Sequence, residues 1–266
     1  MKISDGGVCA AKGFSANGVH CGIRKNKIKK DLSLIVSEVT ASCAAVYTTN
    51  AVFGAPITVT RSHLEDGKAK ACICNSGIAN TCCAGGVETA NEICLAAAET
   101  LGCKAEDIVI ASTGVIGQPL DPAPIKAALP ALAAGLNENG SEAAAAGIMT
   151  TDTVKKEIAV EFELGGKTCH IGGIAKGSGM IHPNMATMLV FITSDVSISP
   201  ALLKKALSSD IKNTFNMISI DGDTSTNDMV TVLCNGMAGN AEITEENADY
   251  ETFMTALNTV NVHLCR

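Results

Sequence analysis

The sequence predicts an α+β, or layered α/β, fold in which mixed sheets are sandwiched with helices. Three observations carry that expectation. Apolar or alternating runs of strand length recur from residue 31 to residue 234. Four segments with helical signals lie between them. The two kinds follow one another without the strict strand–helix alternation of a doubly wound sheet. In order, residues 31–39 alternate, and residues 55–60 and 69–74 are short apolar strands. Residues 87–101 place Val87, Ala90, Cys94, Ala97 and Leu101 on one helical face, which Gly102 can close. Residues 107–112 read as a buried strand. Asp121-Pro122 reads as the N-cap and first residue of a helix to about 136, with Pro130 a kink or break. Residues 157–164 alternate, break at Gly165-Gly166, and return as a hairpin over 168–174. Residues 188–194 and 229–234 are the remaining strands; helices open at Ser199-Pro200 and over 245–260.

Composition narrows the function. Hydrophobic residues make up 47% of the 266, which excludes a disordered chain. No run approaches the ~20 apolar residues of a membrane span, since even the alanine-rich stretch 123–147 carries Lys126, Glu138 and Glu142. The first residues show neither an apolar signal core nor an arginine-rich leader, so a cytoplasmic protein away from membranes is expected. Net charge is −7, and the one basic cluster, residues 24–30, has no interleaved aromatics. A solvated turn explains that cluster, and no nucleic-acid partner is expected. Twelve cysteines raise the question of a metal, but none forms a Cys-x-x-Cys pair. Cys72 and Cys74 would face the same side of a strand as small apolar fillers, and no metal is expected.

Several segments could carry chemistry. Residues 111–119 include Thr113 and Gly114 after a strand. A hydroxyl and a backbone N–H aimed at one point make an oxyanion hole; a plain strand-to-loop turn has the same composition. Residues 75–81 read as a polar pocket loop or as an Asn/Gly turn that satisfies its own backbone. Residues 149–155, with Thr150 beside Asp152, read as a binding loop for a charged amino acid or as a capped turn. Residues 221–228 lack the ligand spacing of a calcium loop and read as a polar hairpin turn or pocket rim. Residues 172–179 fit neither phosphate-loop pattern, and Lys176 is a carboxylate anchor or a solvated turn residue. His182 has no partner at triad-like spacing and reads as a packing or surface residue. Most informative is Lys176 to Leu189, which sets Thr187 directly after Ala186, between a glycine-rich turn and an apolar run. A threonine hydroxyl is a weak nucleophile without a base. Cutting the chain before it turns its own α-amine into that base.

Taken in order, these segments resemble the ornithine acetyltransferase (glutamate N-acetyltransferase) family. The resemblance runs through Gly6-Gly7, Lys12-Gly13-Phe14, residues 18–23, Tyr47 to Asn50, Asn75 to Gly77 and Ser112 to Gly117. It continues through Met149 to Thr153, Lys176 to Leu189 and Ile220 to Asp228, so it covers residue 6 to about 240. It implies an N-terminal-nucleophile-type, self-processing enzyme. Thr187 would attack the Ala186 carbonyl and split the chain into an α part, 1–186, and a β part, 187–266. Freed Thr187 would take an acetyl group from N-acetylornithine and pass it to glutamate. Its α-amine, with an ordinary pKa of about 7.7–8.0, suits a general base. Thr113 and Gly114 would hold the oxyanion, and Thr150 and Lys176 would bind substrate. No cofactor is implied, although in bifunctional members acetyl-CoA is a second donor. The assembly implied is an α2β2 heterotetramer of cut chains. One departure stands beside the match: the family's later Asp-Gly-Glu-Gly segment, with a substrate-binding glutamate, does not occur. The sequence therefore reads as truncated, and two alternatives are kept: an inactive remnant of the family, and an N-terminal-nucleophile amidase or aminopeptidase.

Overall fold

Gly165 and Gly166, both at left-handed φ (52° and 75°), reverse the chain between β6 (Lys156–Leu164) and β7 (Lys167–Lys176). This is the hairpin expected from the alternating pattern. The computed structural model describes residues 1–26, 28–177, 188–219 and 221–266. The other strands are β1 (Lys2–Ser4), β2 (Phe14–Val19), β3 (Leu32–Tyr47), β4 (Lys68–Ile78), β5 (Ile108–Val115), β8 (Leu189–Ser194) and β9 (Met229–Cys234). The helices are α1 (Ala55–His63), α2 (Gly86–Leu101), α3 (Ala123–Ala134), α4 (Ser141–Ile148), α5 (Pro200–Asp210) and α6 (Ala248–Cys265).

Among the described residues the strands join in the order β1-β6-β7-β8-β9-β3-β4-β5, with β2 paired to β3. Two pairs are parallel, β4 with β5 and β8 with β9; the rest are antiparallel. Each parallel pair needs a crossover, and α2 and α5 lie in the two connections. The 16-residue β3 makes one sheet serve two layers. Its first half pairs with β2 and β4, its second with β9, and its register to β4 shifts between Val36 and Ala41. Such an irregularity bends a strand.

Side chains alternate between three cores. Val190, Ile192, Val230 and Val232 face α5 and α6, where Leu203, Phe253 and Leu257 are buried. Leu189, Phe191, Met229 and Leu233 point the other way, into a middle core shared with Cys72, Cys74, Val109 and Ala111. Leu32, Leu34, Ala71 and Ile73 pack against Ile93 and Cys94 of α2 and Leu129 of α3. The layers are therefore helices, sheet, middle core, sheet, helices. Full burial of one such side chain is worth about 2 kcal/mol. Among the described residues no helix is long and apolar enough to cross a membrane.

Four elements differ from expectation. Residues 55–60 form α1, not a strand. Pro56 sits in its first turn, and Arg61 and His63 lie in its last turn, where cations suit the carbonyl end. Thr60 Oγ1 also donates to the Ile110 carbonyl (2.8 Å), so tertiary contact outweighs β-branched propensity. α3 begins at Ala123, with Asp121 Oδ1 accepting from Ala123 N (2.9 Å), and Pro130 does not break it. α4 follows Gly140 without a side-chain cap, which is why no start signal was legible. The 221–228 segment is no hairpin turn, because the strands it would join, β8 and β9, are parallel.

Candidate functional site

The site assembles where the parallel pair β4/β5 ends beside the end of β7. Ser76 pairs in register with Thr113, and Gly77 with Gly114. β5 thus runs through Thr113 and Gly114, beyond residue 112 where a loop was expected to begin. Gly114 has φ 132°, and a Cβ there would lie 2.3 Å from the Gly77 carbonyl carbon. Only glycine at this position lets the two backbones approach. Behind them, Ser112 Oγ donates to Asn75 Oδ1 (2.6 Å), and Asn75 Nδ2 donates to the Ile78 carbonyl (2.9 Å). Residues 75–78 are therefore the end of β4, paired with residues 112–115 of β5, and neither the loop nor the Asn/Gly turn read from the sequence over 75–81.

Lys176 is the last residue of β7 and only 3% exposed. It is not a solvated turn residue. Its Nζ donates to Thr113 Oγ1 at 3.2 Å. Burial lowers its pKa, while Asp152 and Asp228 pull it back up. Asp152 ties the 149–153 loop to this corner. Its Oδ2 accepts from Thr150 N (3.0 Å) and its Oδ1 from Gly177 N (2.7 Å). The loop is thus a capped turn, and it is also part of a pocket. Thr150 and Asp152 line a cavity of about 280 Å³ with Arg24, Lys29, Lys30 and Met149. The cavity wall is mostly apolar, and Arg24 and Lys30 donate to the Met149 and Gly18 carbonyls. The basic cluster read from the sequence as a solvated turn also contributes to a cavity wall.

Ala186 and Thr187, the expected cleavage pair, lie outside the described residues, as does His182. The residues that flank the segment 178–187, Gly177 and Met188, are described. Gly177 N is held by Asp152, and Met188 N donates to Asp228 Oδ1 at 2.9 Å. Asp228 is 1% exposed. Burial pushes its carboxyl well above the usual range, against the pull of the nearby Ser225 hydroxyl, Met188 N–H and Lys176. Asn227 beside it donates to the carbonyls of Ala79 (2.7 Å) and Ser112 (2.9 Å). The structure thus brings Thr113, Gly114 and Lys176 together and links Thr150 to them through Asp152. Asn227 and Asp228 were read from the sequence only as a turn or rim. Two adjacent polar side chains before an apolar strand were the signal, but their partners are more than 100 and 40 residues away in the chain.

A family model described as the ArgJ family matches residues 15–266. The arginine biosynthesis bifunctional protein ArgJ of Symbiobacterium thermophilum is 49% identical over 98% of this chain. The chain spans 65% of that relative's length. The crystal structure of a Bacillus halodurans arginine biosynthesis bifunctional protein is 44% identical, with a TM-score of 0.66. It covers 70% of this chain, and the match takes in 97% of the solved one. Ornithine acetyltransferase from Mycobacterium tuberculosis, solved with ornithine, is 30% identical and covers 71% of this chain and 99% of its own, with a TM-score of 0.63. An aminopeptidase of Ochrobactrum anthropi, a variant of the Ntn hydrolase fold, shares only the fold: 12% identity and a TM-score of 0.56 over 99% of this chain and 86% of its own. The chain belongs to the ArgJ family.

Proposed function

We propose that this chain is a self-cleaving acyltransferase precursor that moves an acetyl group from N-acetylornithine to glutamate. The observation that carries the reading is the Lys176–Thr113 contact beside Gly114, in a chain whose sequence continues from Lys176 to Ala186-Thr187. In the first stage the Thr187 hydroxyl attacks the Ala186 carbonyl carbon. The amide C–N bond breaks, the nitrogen takes the hydroxyl proton, and an ester links Ala186 to Thr187 Oγ. Water then hydrolyses the ester, leaving residues 1–186 with a new carboxylate and 187–266 with a free α-amine. Both the cleavage and the division at 186/187 belong to this proposal. The 70% of the chain covered by the solved Bacillus halodurans structure is the share that residues 1–186 make up, which supports it.

In the second stage the Thr187 α-amine takes the hydroxyl proton as Oγ attacks the acetyl carbonyl. The amine of ornithine leaves with that proton, and the acetyl group stays on Oγ as an ester. The glutamate amine attacks this ester, the bond from the acetyl carbon to Thr187 Oγ breaks, and the proton lost by the amine passes through the Thr187 α-amine to restore the hydroxyl. A tetrahedral oxyanion forms at each attack. The Thr113 hydroxyl and the Gly114 N–H are its donors. Lys176 polarises the Thr113 hydroxyl, and a buried ammonium of lowered pKa favours the developing negative charge. The cavity at Thr150, with Arg24, Lys29 and Lys30, takes the substrate carboxylate. Acetyl-CoA is a further donor within the same chemistry, and cytoplasmic α2β2 assembly completes the proposal.

Intact mass with N-terminal sequencing tests it. Two fragments are expected, the second beginning Thr-Met-Leu-Val. Thr187→Ala should leave a single chain of 27.2 kDa without acetyl transfer. A wild-type chain that stays whole, or a variant that is still cut, overturns the reading. Hydrolysis of N-acetylornithine that ignores glutamate would move the assignment to an amidase.

A further inference from the structure

The second half of β3 has a neighbouring strand on one side only. Residues 42–47 pair with β9, but pairing with β4 ends at Ser42 and Lys68, and Gly67 at φ 71° turns the chain away. In an antiparallel ladder the backbone groups of successive residues point to opposite sides. Thr48 N donates to Asp228 O and so continues the β9 ladder, whereas Cys43 N donates to Gly67 O on the other side (2.7 Å). Ala45 and Tyr47 therefore aim their N–H and C=O groups away from β9. Among the described residues no strand pairs with them there, and both are half-buried rather than covered. This free edge is the floor of a cavity of about 810 Å³. Arg61 and Leu64 to Asp66, at the end of α1, form one wall, and Pro200 and Lys204 of α5 the other.

Unpaired strand edges are templates for another strand. A floor of alternating donors and acceptors, running about 13 Å from Cys43 to Tyr47, selects extended backbone over a compact ligand. The walls add charge. The Arg61 guanidinium lies 4.9 Å from the Tyr47 ring centroid and 5.0 Å from that of Phe53, which is exposed. Stacking fixes the guanidinium plane and leaves its N–H edge for an oxyanion. Neither Arg61 nor Lys204 pairs with a carboxylate among the described residues. Glu65 and Asp66, beside Gly67, give the opposite end of the groove the opposite sign. We propose that this groove binds an extended acidic peptide of a partner chain, which adds a strand beside β3 and places a carboxylate on Arg61 at the Tyr47 end. A second copy of this chain does not fit, because an edge sunk between two walls cannot meet the same sunken edge of another molecule. The groove contains none of the residues to which acetyl transfer is assigned, so it stands apart from that reading.

Calorimetric titration of the full chain tests it, with two capped peptides as probes: acetyl-Glu-Val-Thr-Val-Thr-amide and the reversed order, acetyl-Thr-Val-Thr-Val-Glu-amide. Saturable binding of at least one is expected, and the better one gives the strand direction. Arg61→Gln should weaken that peptide about tenfold and leave its Gln-for-Glu version unchanged. Ala45→Pro removes a donor from the free edge and none from the β9 ladder, a place where a strand tolerates proline, and should also weaken binding about tenfold. Should a thermal melt show that Ala45→Pro does not fold, the peptide N-methylated at alternate residues tests the same bonds from the other side. One phase of methylation should abolish binding and the other should spare it. Failure of both peptides to bind overturns the inference. So do equal affinities for the two methylation phases, or an Arg61→Gln chain that binds the acidic peptide as wild type does. A chain that dimerises with rising concentration and thereby excludes the peptide would give the groove to a second copy, and overturns it as well.

Discussion

Two parallel strand pairs meet at the site, and they hold it by different forces. β4/β5 carries Gly77 opposite Gly114 one residue before its end, where the backbones approach too closely for a side chain at Gly114. β8/β9 begins at Leu189 and Met229, beside a buried carboxyl that grips Met188 N–H. The first is a steric constraint, which neither salt nor pH alters. The second is electrostatic, and depends on the state of Asp228 and the nearness of Lys176.

The contrast breaks most sharply at Gly114. Gly114→Ala puts a Cβ against the Gly77 carbonyl at a φ that alanine avoids. A loss of roughly 3 kcal/mol in urea unfolding is expected. A variant as stable as wild type would mean that the close approach does not restrain this wall. Next in size is the pH response of the other wall. Burial keeps the proton on Asp228 where the unfolded chain has released it, so the folded state binds more protons. Stability then falls as pH rises from the ordinary carboxylate value, about 3.9, toward the raised folded value. Asp228→Asn removes that slope. Its urea midpoint should gain on wild type as pH rises above the ordinary carboxylate value, about 3.9, and a constant difference would show that Asp228 carries no such cost. Lys176 is present in both chains and shifts in the opposite sense.

The smallest effect marks how far the rigid wall extends. Cys74 lies under β4, and burial pushes its thiol up to about 12. Cys82, four residues past the strand end, is exposed. Cys74→Ser should cost about 1–2 kcal/mol and Cys82→Ser less than about 0.5. Native alkylation should mark Cys82 long before Cys74, since the thiolate reacts. Equal labelling would show that the wall opens.

Much of the site was legible, but unevenly. Thr113, Gly114 and Lys176 stood out because hydroxyls, glycines and a lysine cluster locally, and the resemblance grouped them as one set of expected site residues. The basic cluster is a largely exposed turn, as read, with Lys25, Asn26 and Lys29 in solvent; the part the sequence did not show is Arg24. What recruits Arg24 is the Met149 carbonyl, 125 residues away. The strand expected at 55–60 failed for a related reason: six residues cannot distinguish a buried helix face from a strand.

The sequence by itself determined the mixed α/β character, the glycine hairpin at 165–166 and the order of the motifs, because periodicity and turn chemistry act over a few residues. Tertiary structure alone decided that β3 would join two layers and that Lys176 would lie buried on Thr113. It alone decided that Asn227 and Asp228 would bridge the walls. Those outcomes depend on which distant backbone groups need a partner once strands pair, and no local pattern records that need.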